Sequence, residues 1–487
     1  QLINIFSHYL FLIPATLTMV MAGTVYGWTT TFLLHLTSGT GDVPLTLTHD
    51  ESSWIVSVTV LGSMIGSLVG AQLADRRGRK CCLLLCCTIF SLGWLIIYDA
   101  TDVPILYFAR VVLGIGVGIA YTINPMYVSE VADINMRGAV ATLIAVNVFT
   151  GSLLTCILGH WLTYKSLLVV LVIISFMSFL TNTCFPETPY FLVSKGRKKQ
   201  ACKSITYYKG IVDPNEMKIA LRALCPQTRC KLQPQAKSYF LPQSRSDLSS
   251  QSTSDFLPQF RSDSLFLMLG LIMAQQFSGN FITIQYLEVL FSKTTIGIQP
   301  NLATIWVLAV GLISGILSTL TVESLGRRTL LILSTLGSCF TLFILATYLL
   351  LVQHKFDVSI VSTLPVITLL IYQVMYQIGL GTLPNVLLCE LFPAELKGFA
   401  GAIIVIFDGI IGFTVSKLYQ VITDDVGLSA IYFIFTIACC LAFVMVHKWV
   451  PETKGKTYHE IKTLLIGKNL NSLNEEVRTT EKNIRRI

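Results

Sequence analysis

The stretches Asp75-Arg76-Arg77-Gly78-Arg79-Lys80 and Glu323-Ser324-Leu325-Gly326-Arg327-Arg328 are two versions of one short turn, an acid, a glycine and a basic pair set between long apolar runs. The relation extends to other motifs. Glu130, Arg137 and Gly138 return as Glu390, Lys397 and Gly398, and Pro186-Glu187-Thr188 returns as Pro451-Glu452-Thr453, in the same order. A motif set repeated in order marks a duplicated unit. Around it lie twelve runs that meet the ~20 mainly apolar residues a spanning helix needs: 7–33, 52–73, 81–99, 103–125, 139–161, 166–185, 264–292, 299–322, 329–352, 360–388, 398–422 and 427–449. Two homologous six-helix units around a midplane site form the architecture of a secondary transporter. The predicted fold class is therefore all-α membrane protein, twelve transmembrane helices in two pseudo-symmetric six-helix bundles with a cytoplasmic helical middle loop.

Composition excludes the other classes. Of 487 residues, 53% are hydrophobic and 13% are charged, about half the ~25% charge of a globular domain. A soluble fold cannot cover itself with so few charges, and a disordered chain would not carry so much apolar surface. The net charge of +8 would suggest nucleic acid in a soluble protein. Here Arg76, Arg79, Lys195 to Lys199, Arg327 and Arg328 sit in one set of loops and Asp42, Asp50, Asp99, Asp102, Asp424 and Asp425 in the other. That is the positive-inside pattern, with both termini and the middle loop cytoplasmic.

The domain division follows: 1–185 an N-terminal bundle, 186–263 the middle loop, 264–450 a C-terminal bundle and 451–487 a cytoplasmic tail. Within the loop, a Lys-rich helical part gives way after Pro226 to a Ser/Gln/Pro-rich stretch predicted to be disordered. There Phe240 to Asp247 is echoed by Phe256 to Asp263, either a tolerated low-complexity insertion or a phosphorylated docking site. Thirteen cysteines lie mostly in apolar runs, where they pack as small hydrophobes.

The ordered motif set resembles the sugar porter branch of the major facilitator superfamily, most closely the insect facilitated trehalose transporters. The residues that carry it are Pro125-Met126-Tyr127 with Glu130, Arg137 and Gly138; Pro186 to Pro189; Gln275-Gln276-Phe277-Ser278-Gly279; Glu390 to Pro393; Pro451 to Gly455; and Gly23 to Thr30. The resemblance implies alternating access, a plasma-membrane location and a charged latch at the cytoplasmic edge. The latch set is Arg76, Arg79, Arg110, Glu130, Arg137, Glu187, Glu323, Arg327, Arg328, Glu390, Lys397 and Glu452, expected to bridge the bundles on closure. Ser324, Ala71 and Tyr190 depart from the family pattern.

Arg110 lies inside span four, so it must face protein or water, with Glu130 or backbone carbonyls as its expected partners. In proton-coupled sugar porters the matching Arg works with an acid in span one; this chain has Thr29 there, which favours facilitated diffusion. Asp408 in span eleven is either an alternative proton site or a carboxylate solvated by the cavity. Recognition of a polyhydroxyl ring needs amides, hydroxyls and an aromatic platform. The candidates are Gln275, Gln276, Asn280, Tyr286, Asn385, Asn147, Trp28 and Asp408. Several positions depart from the usual sugar pocket: Phe281 for Asn, Asn385 for Trp, Ala145 for Gln, and Gly409 and Gly412 in span eleven. Gly379, Gly381 and Pro384 interrupt span ten, as a flexing segment or as packing glycines.

The expected function is facilitative transport of a hexose or a trehalose-like disaccharide. A facilitator for a non-sugar organic solute and a non-transporting sugar sensor are the alternatives. No phosphate-cradling motif, nucleophile triad or zinc spacing is present, so an enzyme, a cofactor and a metal are not expected. The expected partners are a small solute and the lipid bilayer, with no nucleic acid and a monomer assumed.

Overall fold

The computed structural model describes residues 2–39, 42–131, 137–211, 213–224, 250–294, 299–356, 361–392, 397–454 and 456. Among them, twelve helices are long and apolar enough to cross a membrane: Thr16–Ser38, Asp50–Arg77, Arg79–Tyr98, Val103–Val131, Val140–Trp161, Tyr164–Cys184, Ser264–Gln285, Pro300–Val322, Arg327–Gln353, Leu364–Leu391, Gly398–Asp425 and Leu428–Trp449. They are spans one to twelve below, each on an apolar run read from the sequence. The shortest has 20 residues, which at about 1.5 Å per residue matches a hydrocarbon core about 30 Å thick. The protein is an integral membrane protein.

Local chemistry sets the helix ends. Thr48 Oγ1 accepts the Glu51 N–H at 3.3 Å and the Glu51 carboxylate accepts the Thr48 N–H at 2.8 Å, a reciprocal cap that starts span two. Gly78, at φ 103°, ends that helix and lets span three begin at Arg79 without a linker. Gly326, at φ 86°, does the same between spans eight and nine. Positive φ is cheap only for glycine.

Span one packs on five, span two on four, and span three on four and six. In the second half, nine packs on twelve and ten, and eight on ten. Two seams join the halves, span two on eleven and span five on eight. Spans two and four touch through glycines: a Cβ on Gly66 would collide with the Ile115 carbonyl and one on Gly118 with the Ser63 carbonyl. Close approach of this kind holds membrane helices together where lipid supplies no hydrophobic drive.

Two spans are broken at mid-depth. Span seven leaves the helix at Ser278 and Gly279 and resumes as Asn280–Gln285 and Leu287–Thr294. Span ten divides into Leu364–Ile378 and Leu383–Leu391. Neighbouring side chains satisfy the freed backbone. Tyr372 donates to Ser278 O at 3.0 Å, the Leu380 N–H donates to Ser334 Oγ at 3.0 Å, and Ser318 donates to Ile378 O at 3.2 Å. Irregular backbone survives at membrane depth only with such partners.

After span six come three short helices, Pro189–Ser194, Lys198–Lys209 and Pro214–Leu224. Tyr208 ties them down, donating to Pro186 O at 2.8 Å and meeting the Tyr127 hydroxyl at 2.9 Å. The helix leading into span seven starts at Ser250, earlier than the apolar run, because extending a helix costs less than nucleating one. The duplicate at 240–247 and the tail from 457 lie outside the described residues.

Candidate functional site

Residues beside both helix breaks line a central cavity of about 180 Å³ walled by both halves. The first half contributes Tyr26, Ser63, Tyr121, Phe149 and Ser152. Span seven supplies Gln275, Gln276, Asn280, Phe281 and Gln285, and spans ten and eleven supply Tyr376, Gln377, Asn385 and Asp408. Gln276 Nε2 donates to Asp408 Oδ1 at 2.6 Å. The Tyr376 hydroxyl lies in reach of the Gln275 and Asn280 amides. Tyr26 and Phe281 meet edge-on across the two halves, their centroids 5.6 Å apart.

Several of these polar atoms are buried with no partner: Gln276 Oε1, Asn280 Oδ1, Gln285 Oε1 and both amide atoms of Gln377. Each such atom costs about 1–3 kcal/mol, and a solute carrying several hydrogen-bonding groups would recover that. Tyrosine rings and aliphatic side chains around them offer apolar contact. The arrangement offers hydrogen-bonding and apolar contacts of the kind a small polar molecule needs.

Arg110 is fully buried and is not among the residues lining the cavity. It donates to Thr29 Oγ1 at 2.6 Å, to Val25 O at 3.1 Å and to Ile55 O at 3.4 Å, and its guanidinium lies 5.2 Å from the Trp28 ring. Carbonyls are therefore its partners. Glu130 is not, since it lies twenty residues on (130 − 110 = 20) in the same helix, about 30 Å away along the axis.

The charged motifs form two matching clusters. Arg79 pairs with Glu130 at 2.6 Å, Thr188 donates to Glu130 at 2.6 Å, and Glu187 accepts the N–H groups of Arg79 at 3.0 Å and Thr188 at 2.9 Å. Burial pushes the Glu187 carboxyl above its usual range, against the pull of those N–H donors. In the second half Arg327 pairs with Glu390 at 2.8 Å, Thr453 donates to Glu390 at 2.7 Å, and Glu452 accepts the N–H of Arg327 at 2.9 Å and of Arg328 at 3.0 Å. Among the described residues, the ion pairs Arg79–Glu130 and Arg327–Glu390 each join residues of one half. The geometry explains it: Arg79 and Arg327 follow the glycine directly and fold back onto the end of the preceding span, at Ala74 O and Val322 O. Arg76 is exposed and Arg328 donates to His447 O at 2.6 Å. The side chains of Arg137, Glu323 and Lys397 lie outside the described residues.

The family model described as "Sugar (and other) transporter" matches residues 15–465. The chain belongs to the sugar transporter family. The facilitated trehalose transporter Tret1 of Bombyx mori is 29% identical over 432 residues, 88% of this chain and 81% of that protein. Its namesake in Apis mellifera ligustica is 27% identical over 422 residues, 86% and 81% of the two chains. Among solved structures, the proton:xylose symporter XylE bound to 6-bromo-6-deoxy-D-glucose aligns with a TM-score of 0.74 at 22% identity, over 94% of this chain and 100% of that one. That likeness is one of fold, and the fold is that of the major facilitator superfamily.

In this sugar transporter, five of the eight candidate binding residues border the cavity: Gln275, Gln276, Asn280, Asn385 and Asp408. Three do not. Trp28 is buried against Arg110, Phe32 and Tyr164; Tyr286 stacks on Tyr419 at 5.0 Å; and Asn147 donates to Leu143 O of its own helix. Of the altered pocket positions, Ala145, Phe281 and Asn385 face the cavity, whereas Gly409 abuts Met64 and Gly412 the Gln276 amide. Motif reading missed Tyr26, Tyr121, Tyr376, Gln377 and Gln285. Their signal was position: polar side chains inside apolar spans, several of them within a few residues of a helix break.

Proposed function

We propose that this sugar transporter is a facilitative carrier, moving a monosaccharide-sized sugar by alternating access of its two halves. The observation that carries this is the cavity between the halves, lined by amides whose hydrogen-bonding atoms are unmet. A volume of about 180 Å³ is below the ~300–1,000 Å³ of pockets that enclose drug-sized ligands. It suits one sugar ring better than the disaccharide named for the insect relatives. Passive transport is supported by the neutral Thr29 facing Arg110 where a proton-coupled carrier would need an acid. Within this reading residues 1–185 and 264–450 are the moving bundles, 186–263 and 451–487 are cytoplasmic, and the carrier acts as a monomer in the plasma membrane. Uptake of labelled glucose, amino sugars and trehalose into oocytes tests it. Saturable monosaccharide entry, indifferent to external pH and abolished by Gln275→Leu at equal surface level, is expected. No sugar entry with the protein at the surface would overturn it.

A further inference from the structure

Among the described residues, Asp408 is the one charged side chain lining the cavity, and no Lys, Arg or His lines it. A carboxylate only accepts hydrogen bonds, and that fixes its neighbour. Gln276 turns Nε2 toward Asp408 at 2.6 Å, which leaves its Oε1 as the buried atom without a partner. Amide orientations are usually interchangeable; next to a carboxylate this one is not. Two acceptors thus stand side by side, a half-buried carboxylate and a buried amide oxygen without a partner, and a donor-rich solute group suits both. Tyr26, Tyr121 and Tyr376 share the cavity and lie within the field of Asp408, and aromatic faces attract cations.

A neutral hydroxyl would satisfy one acceptor and leave the half-buried carboxylate without a countercharge, which is unfavourable where water reaches it only in part. An ammonium supplies three donors together with the missing positive charge. We propose that the sugar this carrier prefers bears a protonated amine, docked against Asp408 and Gln276 Oε1. This rests on the carrier reading above and narrows its substrate class from sugars to amino sugars.

The test uses the purified full chain in phosphatidylcholine liposomes at neutral pH, with glucosamine and N-acetylglucosamine competing against labelled glucose. Acetylation keeps the ring and removes the charge. Glucosamine is expected to inhibit at a concentration about tenfold lower, the size of one charge-assisted hydrogen bond. Asp408→Asn should bring the ratio close to one and Asp408→Glu should keep the preference. Equal inhibition by the two sugars overturns the amine proposal and leaves the carrier reading standing; no sugar uptake at all overturns both. Glucose uptake driven by a proton gradient, with no amine preference, also overturns it by making Asp408 a proton carrier. Should Asp408→Asn fail to fold, thermal shift of the unaltered protein decides. A larger upward shift with glucosamine than with its acetyl derivative supports the proposal, and equal shifts reject it.

Discussion

Arg110 shows how this chain keeps a full charge inside a membrane helix. Its planar guanidinium reaches three acceptors on two other spans, Val25 O and Thr29 Oγ1 on span one and Ile55 O on span two, with Trp28 across its face. A lysine has the charge but not the fork. Arg110→Lys is therefore expected to cost about 1–3 kcal/mol, read as a lower unfolding temperature of the purified protein in detergent. The two ion pairs differ in a way that ranks them. Glu130 is 3% exposed and Glu390 is 16% exposed. Removing one partner of a fully buried pair strands the other charge at about 3–5 kcal/mol, while water relieves part of that cost at Glu390. Glu130→Gln should thus destabilise the protein more than Glu390→Gln. Equal losses would mean that burial does not set the cost.

At the scale of elements, the two broken spans respond differently to the same change. Gly279 has φ 78°, and a Cβ there would collide with the ring of Phe435. Gly379 and Gly381 have no such dihedral; a Cβ on Gly379 would meet the Leu330 carbonyl, whereas one on Gly381 meets chiefly the Gln377 amide, the far end of a flexible side chain, with the Tyr376 ring edge at 2.9 Å. Gly279→Ala is therefore expected to reduce folded protein at the surface. Gly381→Ala should leave surface level near normal and weaken sugar affinity, because Gln377 must swing away from the cavity. Surface biotinylation beside uptake kinetics separates the two. The break in span ten was legible in the sequence, since Gly379, Gly381 and Pro384 interrupt its apolar run; the break at Gly279 was not, because 264–292 reads as one continuous apolar stretch. Nor was the facing of individual side chains. An α-helix turns about 100° per residue, so Trp28, two residues past Tyr26, points the opposite way, toward Arg110 rather than the cavity. Asn147 stands in the same relation to Ala145. Motifs identify the helix that carries a site, and only packing identifies its face.

For the whole molecule, the decisive question is which contacts hold the halves together. Among the described residues the two ion pairs at the motif end, Arg79–Glu130 and Arg327–Glu390, are internal to each half, so breaking one is expected to loosen a bundle before it tilts it against its partner. Links between halves occur at both ends; at the motif end Cys389 Sγ donates to Pro125 O at 3.6 Å. Thr142 and Thr319 share a hydrogen bond at 2.6 Å. On span eleven, Lys417 Nζ donates to Ser53 Oγ at 2.8 Å and sits 3.7 Å from the Trp54 ring centroid, reaching from the second half to span two of the first. Lys417 lies nine residues beyond Asp408 (417 − 408 = 9), about 13 Å further along the helix and away from the motif end. Lys417→Ala should therefore open the cavity at the end opposite the charged motifs. A charge-assisted hydrogen bond is worth about 1.5–3 kcal/mol, and 1.4 kcal/mol is about tenfold in an equilibrium. A cysteine placed by Phe281→Cys should be labelled by an impermeant thiol reagent about tenfold faster or more when Lys417→Ala is added. Charge reversal at Glu390 on the same background should leave that rate unchanged while lowering stability. If Glu390 reversal speeds labelling and Lys417→Ala does not, the clusters are the latch after all and the halves are held from the motif end.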